Sequence, residues 1–267
     1  MNPGKNTIPP PLNHDEDNNF YQGDNVLDRT LHLGIPVGRV PTYAVVMGDP
    51  ERIDILLEQS DSWRDLGLKR GFRGIVIRRN DVEVGVFSHG IGGPSASIVF
   101  EELVKAGVET IVRIGTCGGL RADVVPGKVI VASASGVRKT GCAINMYADD
   151  NYPPMAPDPL LASKIYWSLR KKGIDTLIGP VFSSDAFYAE APDLARDLAR
   201  LGYIGIDMET AILYYLSWMR YYRSTSILIV SNNLVVDTDK YLSNQDMIDT
   251  IRRIFEAIVD VLAGEKV

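Results

Sequence analysis

The stretch VEVGVFSHGIGGPSASIVFEELVKAGVETIVRIGTCGG, residues 82–119, decides the fold. Val82–Phe87 is a short apolar, β-branched run, and Thr110–Ile114 is a second one. Between them, Ser88-His89-Gly90-Ile91-Gly92-Gly93-Pro94-Ser95 is turn chemistry leading into a helical segment through Glu101-Glu102-Leu103. Strand, glycine-rich turn, helix and strand together make the repeating unit of an α/β fold.

Outward from this stretch the alternation continues. Further runs lie at Tyr43–Met47, Ile75–Ile77, Lys128–Ala132, Tyr203–Ile206 and Ser226–Val230. Asp158–Pro159 offers an N-cap followed by proline at the first helical position. Leu160, Leu161, Ile165 and Leu169 follow, and Lys171-Lys172-Gly173 makes a favourable end. The last helix has Ser243 as cap and Asp246 near its third position, with Met247, Ile251, Ile254, Ile258 and Val261 on one face. The expectation is an α/β chain, a single domain over residues 31–267, with a largely parallel or mixed central β-sheet flanked by helices. Such sheets bind ligands beyond the carboxyl ends of their strands.

The 267 residues, 45% apolar and 23% charged, suit one large α/β domain or two small ones. Twenty-eight Lys and Arg against 34 Asp and Glu give a net charge of −6, with no basic excess to grip a polyanion, so no nucleic-acid partner is expected. The longest apolar stretches, Ser226–Val230 and Ala211–Met219, fall short of the roughly 20 residues a membrane helix needs. No membrane partner and no signal peptide are expected, and the reading is a soluble, cytoplasmic protein. Cys117 and Cys142 make neither a disulfide framework nor a metal cluster. Residues 1–30 are rich in Pro, Asn and Asp, and half of the net charge falls there. They read as a flexible acidic arm, or as an arm that wraps a neighbouring subunit.

Four groups of motifs follow strands. Met47-Gly48-Asp49-Pro50-Glu51-Arg52 offers a glycine whose backbone an anion can approach, and a guanidinium one turn later. In the turn after Phe87, His89 reads as a hydrogen-bonded structural residue rather than a base. In Thr110-Ile-Val-Arg113-Ile-Gly-Thr116-Cys-Gly-Gly119, an arginine inside a buried strand is costly unless it meets an anion or a structural ion pair. Phe182-Ser-Ser-Asp185-Ala-Phe187-Tyr188 and Ile206-Asp207-Met208-Glu209-Thr210 bring an aromatic cluster and an acidic turn. Aromatic faces stack on planar bases and carboxylates accept from sugar hydroxyls, although by composition alone core aromatics and a helix-start carboxylate are the commoner reading.

Together these motifs resemble the nucleoside phosphorylases, the family of hexameric purine nucleoside, uridine and methylthioadenosine phosphorylases. The resemblance covers about residues 31–262, with SHGIGGPSASIVFEEL, GDPER, KRGF, RIGTCGG, FSSDAFYAE and DMET in the family's order. It implies a phosphate-dependent cleavage of the N-glycosidic bond to free base and ribose 1-phosphate, with inorganic phosphate as co-substrate and no cofactor or metal. By position, Gly48, Arg52, Arg113 and Thr116 would hold phosphate, and Arg70 would reach it from an adjacent subunit. His32, also from across a dimer interface, would meet the ribose 5′ end. Met208 and Glu209 would hold the ribose, Phe187 would stack near the base, and Glu209, Arg113 and Asn232 would carry the catalysis. Asp207 stands where the family usually has Glu or another polar residue. A dimer-based homo-oligomer is implied, hexamers being common in the family. Trp167, Tyr214, Tyr215 and Trp218 suit either interfaces or core.

One departure bears on the substrate. Purine members commonly carry Ser-Asp where this chain has Ser231-Asn232, and an amide donates a hydrogen bond without supplying a titrating proton. Asn232 is then a base-binding donor suited to 6-oxopurines. A uridine phosphorylase, a nucleosidase using water and a non-catalytic nucleoside-binding protein are the alternatives. The short connection Ala189-Glu190-Ala191-Pro192 lacks the insert with which many uridine phosphorylases hold uracil, which favours the purine side.

Overall fold

Tyr43–Met47 is five residues with four buried, and it forms β1 at the middle of the sheet, parallel to both of its neighbours. The computed structural model describes residues 28–138, 141–147, 154–191, 193–236 and 239–264. After β1 come α1 (Glu51–Leu57), β2 (Ser62–Lys69), β3 (Phe72–Arg79), β4 (Val82–Ser88), α2 (Gly93–Lys105) and β5 (Thr110–Gly119). They are followed by β6 (Val129–Val137), α3 (Pro159–Lys171), β7 (Thr176–Ser183), α4 (Leu194–Arg200) and β8 (Gly205–Asp207). α5 (Thr210–Met219), β9 (Arg223–Asn233) and α6 (Asn244–Gly264) complete the order, with short 3-10 turns at Ile144–Met146 and Phe187–Ala189.

The strands lie in the order β2-β3-β4-β1-β5-β8-β7-β6-β9, and β9 also pairs with β5. β5, β8, β7, β6 and β9 therefore close a ring, while β1, β4, β3 and β2 extend from it as a wing. Pairing is parallel for β1–β4, β1–β5, β5–β9, β6–β7 and β7–β8, and antiparallel elsewhere, so the sheet is mixed. Side chains alternate between two apolar layers, as the pleat requires. Ala44, Val46 and Phe87 face α2 and α5, whereas Val45, Met47, Val84 and Val86 face α1, α3 and α6. Tyr214 and Tyr215 belong to the first layer and are fully buried, while Trp167 and Trp218 are exposed.

Both helix starts read from the sequence have their bonds. Asp158 Oδ1 accepts from the Leu161 N–H at 2.7 Å, and Ser243 Oγ accepts from the Asp246 N–H at 3.1 Å. The strands depart more. RIGTCGG, read as a strand running into a glycine turn, is strand through Gly119, with a bulge at Cys117/Gly118. Its glycines let β8 and β9 pair on either side of it. Tyr203–Ile206 contracts to Gly205–Asp207, and Lys128–Ala132 becomes Val129–Val137. β2 lacks an apolar run because it is an almost wholly exposed edge strand.

Residues 1–27 of the expected arm lie outside the described residues. Its last residues belong to the body: Arg29 bridges Pro36, and buried Thr30 accepts from the Ile35 N–H at 3.2 Å.

Candidate active site

Beyond the carboxyl ends of β1, β4, β5, β8 and β9 opens a cleft of about 740 Å³. Each wall follows from local sequence. At the end of β1, Gly48 lies against β4, its carbonyl accepting the Gly90 N–H at 3.0 Å. A Cβ at Gly48 would stand 3.1 Å from the Gly90 carbonyl oxygen, a tight contact that glycine avoids. Arg52 follows on the first turn of α1 and faces the same cleft, 3.7 Å from Asp49.

Arg113 and Gly115 share one side of β5. A Cβ on Gly115 would meet the Arg113 guanidinium at 2.5–2.7 Å, so the glycine provides the space in which the guanidinium lies. Every nitrogen of Arg113 is engaged. Nε donates to His89 Nε2 at 3.2 Å, and Nη1 to Asp207 Oδ2 at 2.9 Å, Thr210 Oγ1 at 3.4 Å and Ser226 Oγ at 3.3 Å. Nη2 donates to Glu209 Oε2 in a short contact. Burial opposes the charge on Arg113, but Glu209 and Asp207 more than offset it and hold its pKa above the ordinary arginine value. Arg52 shifts the other way: burial lowers it, Asp49 opposes that, and repulsion from Arg113 adds to it. The two guanidiniums thus feel each other across the cleft.

Asp207 ends β8 and starts α5. Its Oδ2 accepts from the Thr210 N–H at 3.0 Å and the Thr210 hydroxyl at 2.6 Å, while Oδ1 accepts from Ser183 Oγ at 2.6 Å. Glu209 Oε1 accepts the Gly92 N–H at 2.6 Å, which ties the β4–α2 turn to the acidic turn. Burial pushes Glu209 above the usual carboxylate range; Arg113 opposes the shift and Asp207 adds to it. Thr116, Met208, Phe187 and Asn232 complete the lining, with Phe187 two-thirds exposed at the rim. Asn232 Oδ1 accepts from Ser231 Oγ at 3.1 Å, which leaves its NH₂ as the group offered to a ligand. Burial also raises the thiol of cleft-lining Cys117 far above its ordinary value, so it stays neutral.

The model of the Phosphorylase superfamily matches residues 42–263. The chain belongs to that superfamily. Among its relatives, guanosine phosphorylase of Halorubrum lacusprofundi is 31% identical over 80% of this chain and 88% of that protein. DeoD-type purine nucleoside phosphorylase of Myxococcus xanthus is 32% identical over 88% of this chain and 98% of its own length. In fold, the chain resembles purine nucleoside phosphorylase from Toxoplasma gondii, solved with immucillin-H, at a TM-score of 0.81 and 23% identity, over 90% of this chain and 99% of that one.

In this superfamily member eight sequence-derived candidates share the cleft: Gly48, Arg52, Arg113, Thr116, Phe187, Met208, Glu209 and Asn232. His32 and Arg70 do not line it. His32 is held by Glu102, which accepts from its backbone N–H and its Nδ1, both at 2.7 Å. Arg70 is at the tip of the β2–β3 hairpin, with φ of 56°. The two lie on neighbouring segments, since Lys69 Nζ donates to the Leu31 carbonyl at 2.7 Å. Arg113 carries the structural ion pair that was one of its two readings from sequence, and it faces the cleft as well. Asp207, left without a role by the resemblance, is the buried partner of Arg113; an Asp three residues before Thr210 at a helix start was the available signal. Asn233 diverges from its neighbour: its amide donates to the Arg121 and Val124 carbonyls and accepts from Val235 and Val236, so it clamps a loop.

Proposed function

We propose that this purine-type nucleoside phosphorylase binds inorganic phosphate between Arg52 and Arg113 and prefers 6-oxopurine nucleosides. The observation that carries the reading is the convergence of two guanidiniums, Gly48 and the Thr116 hydroxyl on one cleft that also holds Glu209. Phosphate brings nearly two negative charges, and forked donors match its oxygens. Its entry replaces Glu209 as the anion on Arg113 Nη2, and Glu209 then accepts from the ribose hydroxyls and faces the positive charge that develops on the sugar.

A phosphate oxygen forms the new bond to C1′ as the C1′–N bond breaks, and that bond's electron pair leaves with the base. The proton carried by hydrogen phosphate ends on the base, so the products are free base and ribose 1-phosphate. The protein's share is positioning and electrostatic stabilisation, with phosphate as co-substrate and no cofactor. Asn232 donates to an acceptor on the leaving base, which a 6-oxopurine provides at N7 and O6. The similarity to guanosine phosphorylase supports that side.

The proposal includes a homo-oligomer built from dimers, a hexamer by resemblance, in which a neighbour's Arg70 and His32 complete each cleft. Their adjacency outside their own cleft, beside half-exposed Leu31 and largely exposed Leu68, supports this. Two free thiols, and no helix among the described residues long and apolar enough to cross a membrane, support a cytoplasmic setting. Inosine, guanosine, adenosine, methylthioadenosine and uridine, each with and without phosphate, test the reading. Phosphate-dependent release of hypoxanthine and guanine is expected. Phosphate-independent release, or uracil as the main product, overturns it.

A further inference from the structure

We propose that His89 is a positioning residue that fixes the Arg113 guanidinium for phosphate through its Nε2 atom. His89 is fully buried, one residue past β4, and its Nε2 lies 3.2 Å from Arg113 Nε. An arginine Nε can only donate, so Nε2 must accept and the ring proton must sit on Nδ1. Burial and the neighbouring Arg113 charge hold the imidazole pKa well below its ordinary value, so the ring stays neutral and keeps that lone pair. Its orientation is set by packing. The ring meets Phe100 edge-on at 5.7 Å, and its Cε1 would lie 3.6 Å from a Cβ on Gly48. One buried ring therefore meets Arg113 and lies beside Gly48, two residues that line the cleft.

The Nδ1 of His89 is buried and makes no well-formed hydrogen bond, only weak backbone contact with Gly90 and its own carbonyl. A buried polar atom so weakly paired opposes folding. A phenylalanine or leucine would fill the same space without that cost, so the imidazole makes sense by what its other nitrogen does. Of the groups holding Arg113, Glu209 must release Nη2 when an anion enters. Asp207, Thr210 and Ser226 then remain on Nη1 and His89 on Nε, and together they keep the guanidinium plane aimed at the cleft. With Nε unpaired, the guanidinium loses one of its anchors and Nη2 is no longer held towards the anion.

This inference rests on Arg113 as a phosphate ligand, and the test separates the two. His89→Gln, His89→Asn and His89→Leu are compared with wild type and with Arg113→Lys, by steady-state kinetics in inosine and phosphate. A glutamine carbonyl reaches to where Nε2 stands; an asparagine carbonyl stops near Nδ1; leucine offers no acceptor. His89→Leu and His89→Asn should raise KM for phosphate roughly tenfold or more, as for a lost hydrogen bond to a charged group, while KM for inosine stays within about threefold. His89→Gln should restore the phosphate KM to within about threefold of wild type. Equal phosphate KM values in the Gln and Asn variants, or parallel losses for both substrates, overturn the assignment. If Arg113→Lys itself leaves the phosphate KM unchanged, the phosphate reading fails rather than the role of His89. Should the leucine variant not fold, the Gln–Asn comparison decides alone.

Discussion

Arg113 and Asp207 form a buried ion pair, Nη1 to Oδ2 at 2.9 Å, between side chains 4% and 0% exposed. They lie 94 positions apart in sequence, one within β5 and the other at the end of β8. Two carboxylates, Asp207 and Glu209, share this guanidinium, and a second guanidinium faces the same cleft from α1. On the proposed reading, an external anion takes the place of Glu209 on Arg113 Nη2.

Removing Asp207 should be costly because it leaves Arg113 short of a partner and uncaps α5. Asp207→Ala is expected to lower unfolding free energy by about 3–5 kcal/mol, the usual cost of breaking a buried pair. Asp207→Asn keeps an acceptor for Thr210 and should lose less. Urea denaturation of both variants checks the order; an alanine variant as stable as wild type contradicts the pairing.

Gly115 tests the space around the guanidinium. Its added methyl would stand 2.5 Å from Arg113 Nη1, so Gly115→Ala must displace a group with three fixed partners. Overpacking of this kind typically costs about 1–3 kcal/mol. The phosphate KM should rise with it, and denaturation together with phosphate titration of the rate reads both effects.

The clefts of neighbouring subunits should be separable by complementation. Arg52→Ala disables a chain's own cleft, and Arg70→Ala disables the cleft that the chain serves. Each variant alone should be nearly inactive. After dissociation and random re-pairing, about a quarter of all sites recover both arginines, and activity should return to that level. No recovery in verified hybrid oligomers removes Arg70 from the shared site.

The cleft was legible where its residues follow buried strand ends: Gly48 after β1, Arg113 within β5, Glu209 after β8. Strand ends announce themselves by a β-branched run that stops. β2 was not legible, because an exposed edge strand such as Ser62–Lys69 has no apolar run to detect. Nor were the partners of Arg113: a charged residue in a strand signals that a counter-charge exists, but distance in sequence hides whether it is Asp207, a ligand or both. His32 and Arg70 illustrate the remaining limit. The His32 side chain is anchored on Glu102 in its own chain and Arg70 is exposed at a hairpin tip, and on the proposed reading only a neighbour's cleft would give them substrate contacts.

Glu102 supplies a pH test. Burial would raise its pKa, yet the Leu33 and His32 backbone N–H groups and the His32 ring more than offset that and hold it below the ordinary value of 4.5. A carboxylate whose folded pKa is depressed adds stability above the unfolded pKa and loses it as pH falls through the folded one. Glu102→Gln should therefore cost roughly 1–3 kcal/mol near neutral pH, where the charged acceptor counts. The gap between the two thermal unfolding curves should close on acidification below 4.5. A gap that stays constant with pH would mean that Glu102 acts without its charge.

On the proposed reading, Asn232 decides which bases leave well. Ser231 Oγ occupies its Oδ1 at 3.1 Å, so the amide NH₂ points at whatever fills the cleft. That group would stabilise an oxopurine anion by donation, but it has no proton to give to the poorer 6-aminopurine leaving group. Asn232→Asp places a titrating acid at the same position, and general acid assistance is worth about 10²–10⁴ in rate when well aimed. The ratio of adenosine to inosine cleavage should rise about tenfold or more, with phosphate still required. An unchanged ratio in a folded, phosphate-dependent variant would mean that Asn232 does not face the leaving base, and that specificity is set by other residues of the cleft wall.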